Sequence, residues 1–241
     1  MLTALYLICA ICSLALGVAG LRQLTTAPSL ALALILPTVL AHPYDSLVIA
    51  MGRFIGAGPL LVALTWPRFL LHVFTLPTLV VAMALLARGA GVRWASHRMA
   101  LPSAVLLAVT TLIAGVTGEL MGLNLAPQRH GDVLFYSHAH PVGPPPGAVM
   151  LLAAALVYGG AIGLRARWPW VAMAALYTIL VQAVPDTGLR SALVNTGEVL
   201  LLGAMLLATR HFAALYLPWC MPTRRQIDEP QECDPATEAR L

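Results

Sequence analysis

Two glutamates lie inside long apolar stretches of the chain. Glu119 lies near the end of the run 101–125, and Glu198 lies inside the run 191–209. A charge at mid-bilayer costs about 2.5 to 3.5 kcal/mol even on a lenient insertion scale, so such residues are usually paired or hydrated. Two carboxylates that share a proton in a low-dielectric cavity suit acid–base chemistry. We predict that both are catalytic; the alternative is that each hydrogen-bonds to a polar neighbour and joins two helices.

A second group of ionisable residues precedes them in the chain. Arg68 and His72 are spaced i,i+4 and therefore share one helical face, and Asp45 and Arg53 lie upstream. This set predicts a pocket for an anionic or polar head group, bound by Asp45, Arg53 and Arg68, with His72 as a third catalytic residue. The alternative is a structural ion pair with a snorkelling Arg53.

Polar stripes on two further segments extend the predicted site. Thr178, Gln182 and Asp186 recur at i, i+4 and i+8, while Asn195 and Glu198 share a face of the last apolar run. Such faces turn toward one another rather than toward lipid. The predicted substrate-binding residues are therefore completed by four more: Asn124, Gln182, Asp186 and Asn195.

The segment His138-Ala139-His140 is a weak candidate for a metal-binding site. In an extended segment these two side chains share a face, and one further ligand would give the donor set of a catalytic zinc site. Histidines in a polar connection are more often simply solvated, so no metal is predicted and the cofactor is left open. The chain has no Lys, which excludes a retinal Schiff base, and it has no P-loop, GxSxG or HExxH motif.

The elements that must position these residues are membrane helices. Only 10% of residues are charged, against about 25% in soluble domains, and the mean hydropathy is +0.83. A spanning helix needs about 20 apolar residues. The sequence predicts an all-α polytopic bundle of about seven transmembrane helices, near residues 2–21, 29–42 (or 29–48), 67–88, 101–125, 147–164, 168–184 and 191–209.

Two connections and the C-terminal tail complete the predicted organisation. The stretch 42–66 is too apolar for a solvated loop and is interrupted by Gly56, Gly58 and Pro59, which predicts an interfacial or re-entrant segment. The connection 126–146 is long, which is typical of functional or disordered loops. Residues 1–222 form the predicted membrane domain, and the polar residues 223–241 a disordered cytoplasmic tail.

The arginines predict the orientation of this bundle. With the N-terminus outside, ten of the fourteen Arg residues fall on the inner side, as the positive-inside rule requires. No basic residue precedes the first helix, which favours a retained helix over a signal peptide. The use of Arg without Lys, in an Ala- and Gly-rich chain, indicates a bacterial inner-membrane protein. The predicted polar site then lies in the outer half of the bundle.

These observations predict an integral membrane enzyme that acts on a lipid or isoprenoid substrate from an outward-facing site. Two alternatives remain open: a non-catalytic sensor or assembly protein, and a proton-linked transporter. Membrane lipids are the expected partners. Nucleic acid is not, since the chain has no basic patch with interleaved aromatic residues.

Overall fold

The computed structural model describes residues 1–139 and 143–212, and within these ranges the chain is a helical bundle. Its seven α-helices are α1 (Leu2–Thr26), α2 (Leu30–Ile55), α3 (Pro59–Gly89), α4 (Ala100–Gly115), α5 (Pro146–Ala166), α6 (Trp170–Val181) and α7 (Thr187–Phe212). A 3₁₀ turn, Trp94–Ser96, precedes α4, and a π-helical turn, Val116–Leu120, extends it. The strands β1 (Leu125–His130) and β2 (Val133–His138) form an antiparallel hairpin between α4 and α5. The predicted tail, 223–241, lies outside the described residues.

Six of these helices are long and apolar enough to cross a membrane, counting the π-helical turn with α4. The exception is α6, whose 12 residues rise about 18 Å, against a hydrocarbon core of about 30 Å. The helix ends early because Val184 precedes Pro185, and a residue before proline is disfavoured in the α conformation. The sequence-predicted helix near 168–184 is therefore present but shorter than expected.

The chain nevertheless passes seven times between the two ends of the bundle. α1 and α7 run in the same direction, since Tyr6 hydrogen-bonds to Ser191 near their starts and Gln23 to Thr209 near their ends. The five helices between them alternate in direction. We call the end that carries β1 and β2 the hairpin end, and the end that carries Thr26, Gly89 and Phe212 the opposite end.

The half of the bundle toward the opposite end is packed with apolar side chains. Val39, Leu79, Met83, Leu202 and Met205 are almost completely buried in one continuous cluster. Dispersion and close packing hold such a core together in a lipid environment.

The stretch between the second and third helices differs from the sequence-based expectation. Instead of a separate interfacial or re-entrant segment, α2 continues through Pro43 to Ile55, and α3 starts at Pro59 after a three-residue turn. Proline is tolerated inside membrane helices because neighbouring groups satisfy the freed backbone. Gly56, at φ 82°, makes the turn, and Pro59 suits the first turn of a helix. Both helices are therefore longer than the prolines and glycines suggested.

The hairpin is tied to the start of α1 by Asp132. Its carboxylate accepts from the Met1 α-amino group at 2.6 Å and from the Leu2 amide at 2.9 Å. The Thr3 hydroxyl donates to the Asp132 carbonyl at 3.0 Å. A carboxylate at this position satisfies free N–H groups at a helix N-terminus. Within the long connection predicted from the sequence, the described residues 126–138 thus belong to a hairpin that packs against α1 and α2.

Candidate functional site

Six of the sequence-predicted site residues line one cavity of about 240 Å³ near the hairpin end. Four secondary-structure elements contribute them. These residues are Asp45 from α2, Arg68 and His72 from α3, Glu119 from the π-helical turn, and Asn195 and Glu198 from α7.

Asp45 and Arg68 form an ion pair on one wall of this cavity. Arg68 donates through Nε to Asp45 Oδ1 at 2.8 Å, and Asn195 donates weakly to Oδ2 at 3.4 Å. The Asn195 amide is oriented by Ser46, whose hydroxyl donates to Oδ1 at 2.9 Å. The pair joins α2 to α3, and the Asn195 amide joins α2 to α7.

His42 lies behind Glu198 and is almost fully buried. The Ser13 hydroxyl gives its proton to the Cys9 carbonyl at 2.8 Å, so it must accept from His42 Nδ1, which lies 2.8 Å away. The hydrogen-bond network thereby assigns the ring proton to Nδ1. His42 Nε2 then faces Glu198 Oε2 at 3.3 Å, within ion-pair distance but misaligned for a hydrogen bond. A proton held between His42 Nε2 and Glu198 Oε2 removes the repulsion between the lone pairs of these two atoms.

Glu119 enters the cavity from the π-helical turn. Such turns are rare and occur frequently at functional sites. The residue is only 5% exposed, and its Oε1 has no hydrogen-bond partner in the part of the chain that the structure describes. Its backbone carbonyl is held separately, because His138 Nε2 lies 3.1 Å away and must donate to it. The hairpin thus positions the turn that carries the carboxylate.

An apolar pocket of about 440 Å³ adjoins the charged cavity. Its walls come mainly from α5, α6 and α7, and it shares His72 and Glu198 with the cavity. The early end of α6 at Val181 leaves this space beside α5 and α7. Val149 and Ile179, which line it, are also exposed on the outer surface of the bundle. An apolar chain could therefore enter from the side while a polar group reaches the carboxylates.

Four predicted binding residues lie away from the charged cavity. Gln182 lines the apolar pocket instead. Arg53 is exposed, with its guanidinium 4.9 Å from the centre of the Phe54 ring and 3.7 Å from Asp132.

The other two have local structural roles. Asp186 accepts from the Leu189 amide at 2.9 Å, which caps the start of α7. Asn124 lies at the start of the hairpin, where its carbonyl accepts from the Ala139 amide at 2.8 Å. Both residues lie at the hairpin end, but they do not line the cavity.

The weak metal candidate gains no further ligands in the structure. His138 is bonded to the Glu119 carbonyl and meets the edge of Phe69, with 6.3 Å between the ring centres. His140 lies outside the described residues. Within the described ranges, no three His, Cys, Asp or Glu side chains are grouped to hold a metal ion.

His42, Ser13 and Ser46 are not among the site residues predicted from the sequence. His42, Asp45 and Ser46 are spaced i, i+3 and i+4, so they share a face of a continuous helix. In the sequence Pro43 interrupts that pattern, and the shorter prediction for this helix ends at His42. A helix continued through the proline would have placed His42 beside Asp45.

Comparison with known proteins gives no family assignment. The sequence matches no protein-family model and no curated protein. The function must therefore be argued from the site.

Proposed function

We propose that this chain is an integral membrane enzyme that performs acid–base chemistry on a lipid or isoprenoid substrate. One observation carries the proposal: a charged cavity and an apolar pocket meet at His72 and Glu198. This arrangement fits an amphiphile whose polar end lies among the carboxylates and whose chain lies between α5 and α7. Ligand sites typically combine a mostly apolar wall with a few converging polar groups.

The roles follow from the surroundings of each group. Glu198 is the acid–base residue, because His42 behind it can share its proton. Glu119, on the π-helical turn, is a second acid–base group, and His72 lies at the junction with the apolar pocket. Asp45, Arg68 and Asn195 bind the polar end. The buried Ser13–His42 contact orients Glu198 from behind.

We propose that the hairpin end faces outward and the opposite end faces the cytoplasm of a bacterium. Seven of the described arginines lie toward the opposite end, namely Arg22, Arg88, Arg93, Arg98, Arg165, Arg167 and Arg210. Four lie toward the hairpin end: Arg53, Arg68, Arg129 and Arg190. The positive-inside rule favours this orientation. The site then opens to the outer leaflet of the inner membrane.

The two alternative functions have less support. A transporter needs a polar path through the whole bundle, but below the cavity the described residues form the apolar cluster around Leu79, Met83 and Met205. A purely structural or sensory role is expected to leave the carboxylates satisfied and the space between them closed. Instead, Glu119 Oε1 is buried and unpartnered within the described chain, and the Glu119 residue lines an open cavity.

The test is a comparison of lipid turnover by the wild-type protein and Glu198→Gln. Each protein is reconstituted into vesicles of total bacterial lipid extract supplemented with polyprenyl alcohols. Untargeted mass spectrometry then follows every species over time. We expect time-dependent conversion by the wild type and a loss of about a hundredfold or more in Glu198→Gln, typical of an acid–base residue.

Thr196→Val is the matched control on the same helix. Its hydroxyl contacts the Ala192 carbonyl and Cys9, on the side that faces α1 rather than the cavity. It should convert lipid at the wild-type rate, and all three proteins should be recovered in equal folded yield. Unchanged lipid profiles with the wild type, undiminished conversion by Glu198→Gln, or loss of its folded yield would each overturn the proposal.

A further inference from the structure

A groove at the hairpin end adjoins both the charged cavity and the apolar pocket. It has a volume of about 570 Å³ and lies between the hairpin and the first turns of α7. Pro145 and Val194 line all three spaces. The groove also shares Ser191 with the charged cavity and Gln182 with the apolar pocket. One amphiphile can therefore extend from the apolar pocket, past the carboxylates, into the groove.

The wall of this groove is cationic and rich in hydrogen-bonding groups. Its charge-bearing side chains are Arg190, His130 and His138, and most of its other lining residues carry a hydroxyl or an amide. Among the described residues no Asp or Glu lines it, whereas the charged cavity has three carboxylates. A wall of this composition attracts an anion and repels a cation.

Arg190 is available to bind such an anion. The ion pairs found among the described residues all involve other side chains. Its guanidinium makes one weak hydrogen bond in this part of the chain, from Nη1 to the Val184 carbonyl at 3.4 Å. The residue is half-buried, so its other N–H groups remain open to a ligand. Arginine suits phosphate because its planar fork can donate two hydrogen bonds to one phosphate group.

Ser191 and His130 add further hydrogen-bonding capacity to the same wall. The Ser191 hydroxyl accepts from Tyr6 at 3.0 Å, and its own proton has no acceptor among the described residues. His130 Nδ1 lies 3.3 Å from the Thr187 hydroxyl, which leaves Nε2 without a partner in the described chain. A phosphate group, with several strong acceptor oxygens, can use more than one such donor at once.

The carboxylates of the neighbouring elements lie outside the groove wall. Asp186, just before α7, accepts from the Leu189 amide at 2.9 Å. Asp132, in the hairpin turn, is paired with the Met1 α-amino group at 2.6 Å. Glu119 lines the charged cavity instead. Since none of the three lines the groove, the charge that an anion meets there is positive.

We propose that this groove binds the phosphate of a phosphorylated lipid, such as an alkyl or polyprenyl phosphate, whose chain lies in the apolar pocket. This inference rests on the proposed function and specifies the charge of its substrate. The sequence predicted an anionic or polar head group at Asp45, Arg53 and Arg68, but the phosphate is bound at Arg190 instead. The part of the lipid between chain and phosphate then lies beside Ser191, on the wall shared with the charged cavity.

The experiment measures competition for the apolar pocket by photo-crosslinking of the full chain in phosphatidylcholine nanodiscs. The probe is an uncharged long-chain alcohol that carries a diazirine near the end of its chain, and mass spectrometry locates the labelled peptides. We expect labels on residues of the apolar pocket, such as Leu152 and Leu156. Dodecyl phosphate should displace the probe at a concentration about tenfold or more below that needed for dodecyl glucoside or dodecylammonium, as expected for charge-assisted hydrogen bonds.

Arg190→Gln tests the anion-binding residue, and Arg129→Gln is its control. Arg129 is an exposed arginine of the hairpin that does not line the groove, so both substitutions remove one positive charge from the same end of the bundle. We expect the advantage of dodecyl phosphate over dodecyl glucoside to fall about tenfold in Arg190→Gln and to stay unchanged in Arg129→Gln. Displacement by dodecyl glucoside should be equal in all three proteins, which separates loss of anion binding from a general loss of structure.

Inorganic phosphate distinguishes a phosphate carried by the lipid from a free one. At a concentration equal to that of dodecyl phosphate, it should leave the advantage of the lipid unchanged, because the bound chain holds the lipid phosphate beside the groove. If inorganic phosphate removes that advantage, the groove binds the free ion and the lipid-borne assignment is wrong.

The outcomes separate this inference from the proposed function. Equal or better displacement by dodecyl glucoside or dodecylammonium would overturn the phosphate assignment while leaving an amphiphile site in place. A full phosphate advantage in Arg190→Gln would likewise overturn the role of Arg190. Absence of any label in the apolar pocket would overturn both this inference and the amphiphile site on which the proposed function depends.

Discussion

Glu119 is the residue at which stability and function are expected to oppose each other. Its Oε1 is buried without a partner among the described residues, which destabilises the fold unless a ligand supplies a donor. Replacing Glu119 with Met keeps a side chain of similar length and removes the unsatisfied group. We expect the free energy of unfolding of the ligand-free protein to rise by about 1 to 3 kcal/mol.

The measurement is reversible unfolding in mixed micelles, with Thr117→Val as the comparison. Thr117 lies in the same turn and is exposed, so its substitution should change the free energy of unfolding by less than about 0.5 kcal/mol. A less stable Glu119→Met protein would mean that the carboxylate holds the turn in place, contrary to the role proposed for it.

At the level of single residues, the sequence predicted which side chains share the cavity better than it predicted which of them pair with one another. Arg68 and His72, and likewise Asn195 and Glu198, were found because helical spacing places them on shared faces. Which residues pair with one another depends on how the helices pack, and spacing within one helix does not reveal this. The contact of His42 with Ser13 and Glu198 joins three helices, so it could be seen only in the fold.

At the level of elements, the hairpin depends on a close approach to α2. A Cβ added at Gly52 would overlap the carbonyl oxygen of Leu134 in β2, so any larger residue must push the hairpin away. We expect Gly52→Ala to lower the free energy of unfolding by about 1 to 3 kcal/mol. Hydrogen exchange of the β2 amides should also become faster.

Gly58→Ala is a suitable control for this change. It lies in the neighbouring turn with open space around it and an extended backbone, so an added methyl group meets nothing. Equal exchange rates for β2 in the two variants would contradict the idea that the hairpin is held by its contact with α2.

The contact between the hairpin and α1 is expected to depend on pH. Donation from the Met1 α-amino group, and then from the Leu2 amide, holds the pKa of Asp132 well below its usual range. A carboxyl whose pKa is lower in the folded state stabilises that state above its unfolded pKa, about 3.9, and the stabilisation is lost as the pH falls further.

We therefore expect protection of the Leu2 and Thr3 amides, corrected for intrinsic exchange rates, to fall progressively as the pH drops below about 5 toward the lowered pKa of the folded state. Asp132→Asn should show weaker protection at neutral pH and little further change on acidification. A wild-type profile that is as flat as that of Asp132→Asn would exclude Asp132 as the group responsible.

Element boundaries were the least predictable feature of the fold. Number and order of the helices follow from runs of apolar residues, and seven α-helices are present in the described chain. The ends of α2 and α3 were misplaced because proline breaks water-exposed helices but is tolerated in membrane ones. The β-hairpin was not anticipated, since its strands include Pro127 and several polar residues.

For the molecule as a whole, polarity is divided between the two halves of the bundle. The charged cavity, the hairpin and the buried carboxylate lie toward one end, while an apolar cluster fills the other half. The apolar cluster offers no polar path onward from the cavity among its described residues, as the proposed enzyme requires and a transporter does not. The short α6 adds a lateral opening beside α5 and α7, which suits exchange of an amphiphile with one leaflet.

Orientation in the membrane determines which leaflet this opening meets. Arg129 in the hairpin and Arg93 in the turn between α3 and α4 are exposed at opposite ends of the bundle. We replace all four cysteines with serine or alanine and introduce Arg129→Cys or Arg93→Cys separately. Because the excess of arginine lies toward the opposite end, Arg129→Cys should react with a membrane-impermeant maleimide in intact spheroplasts. Arg93→Cys should react only after permeabilisation, and the reverse pattern would place the site in the cytoplasmic leaflet and refute the proposed orientation.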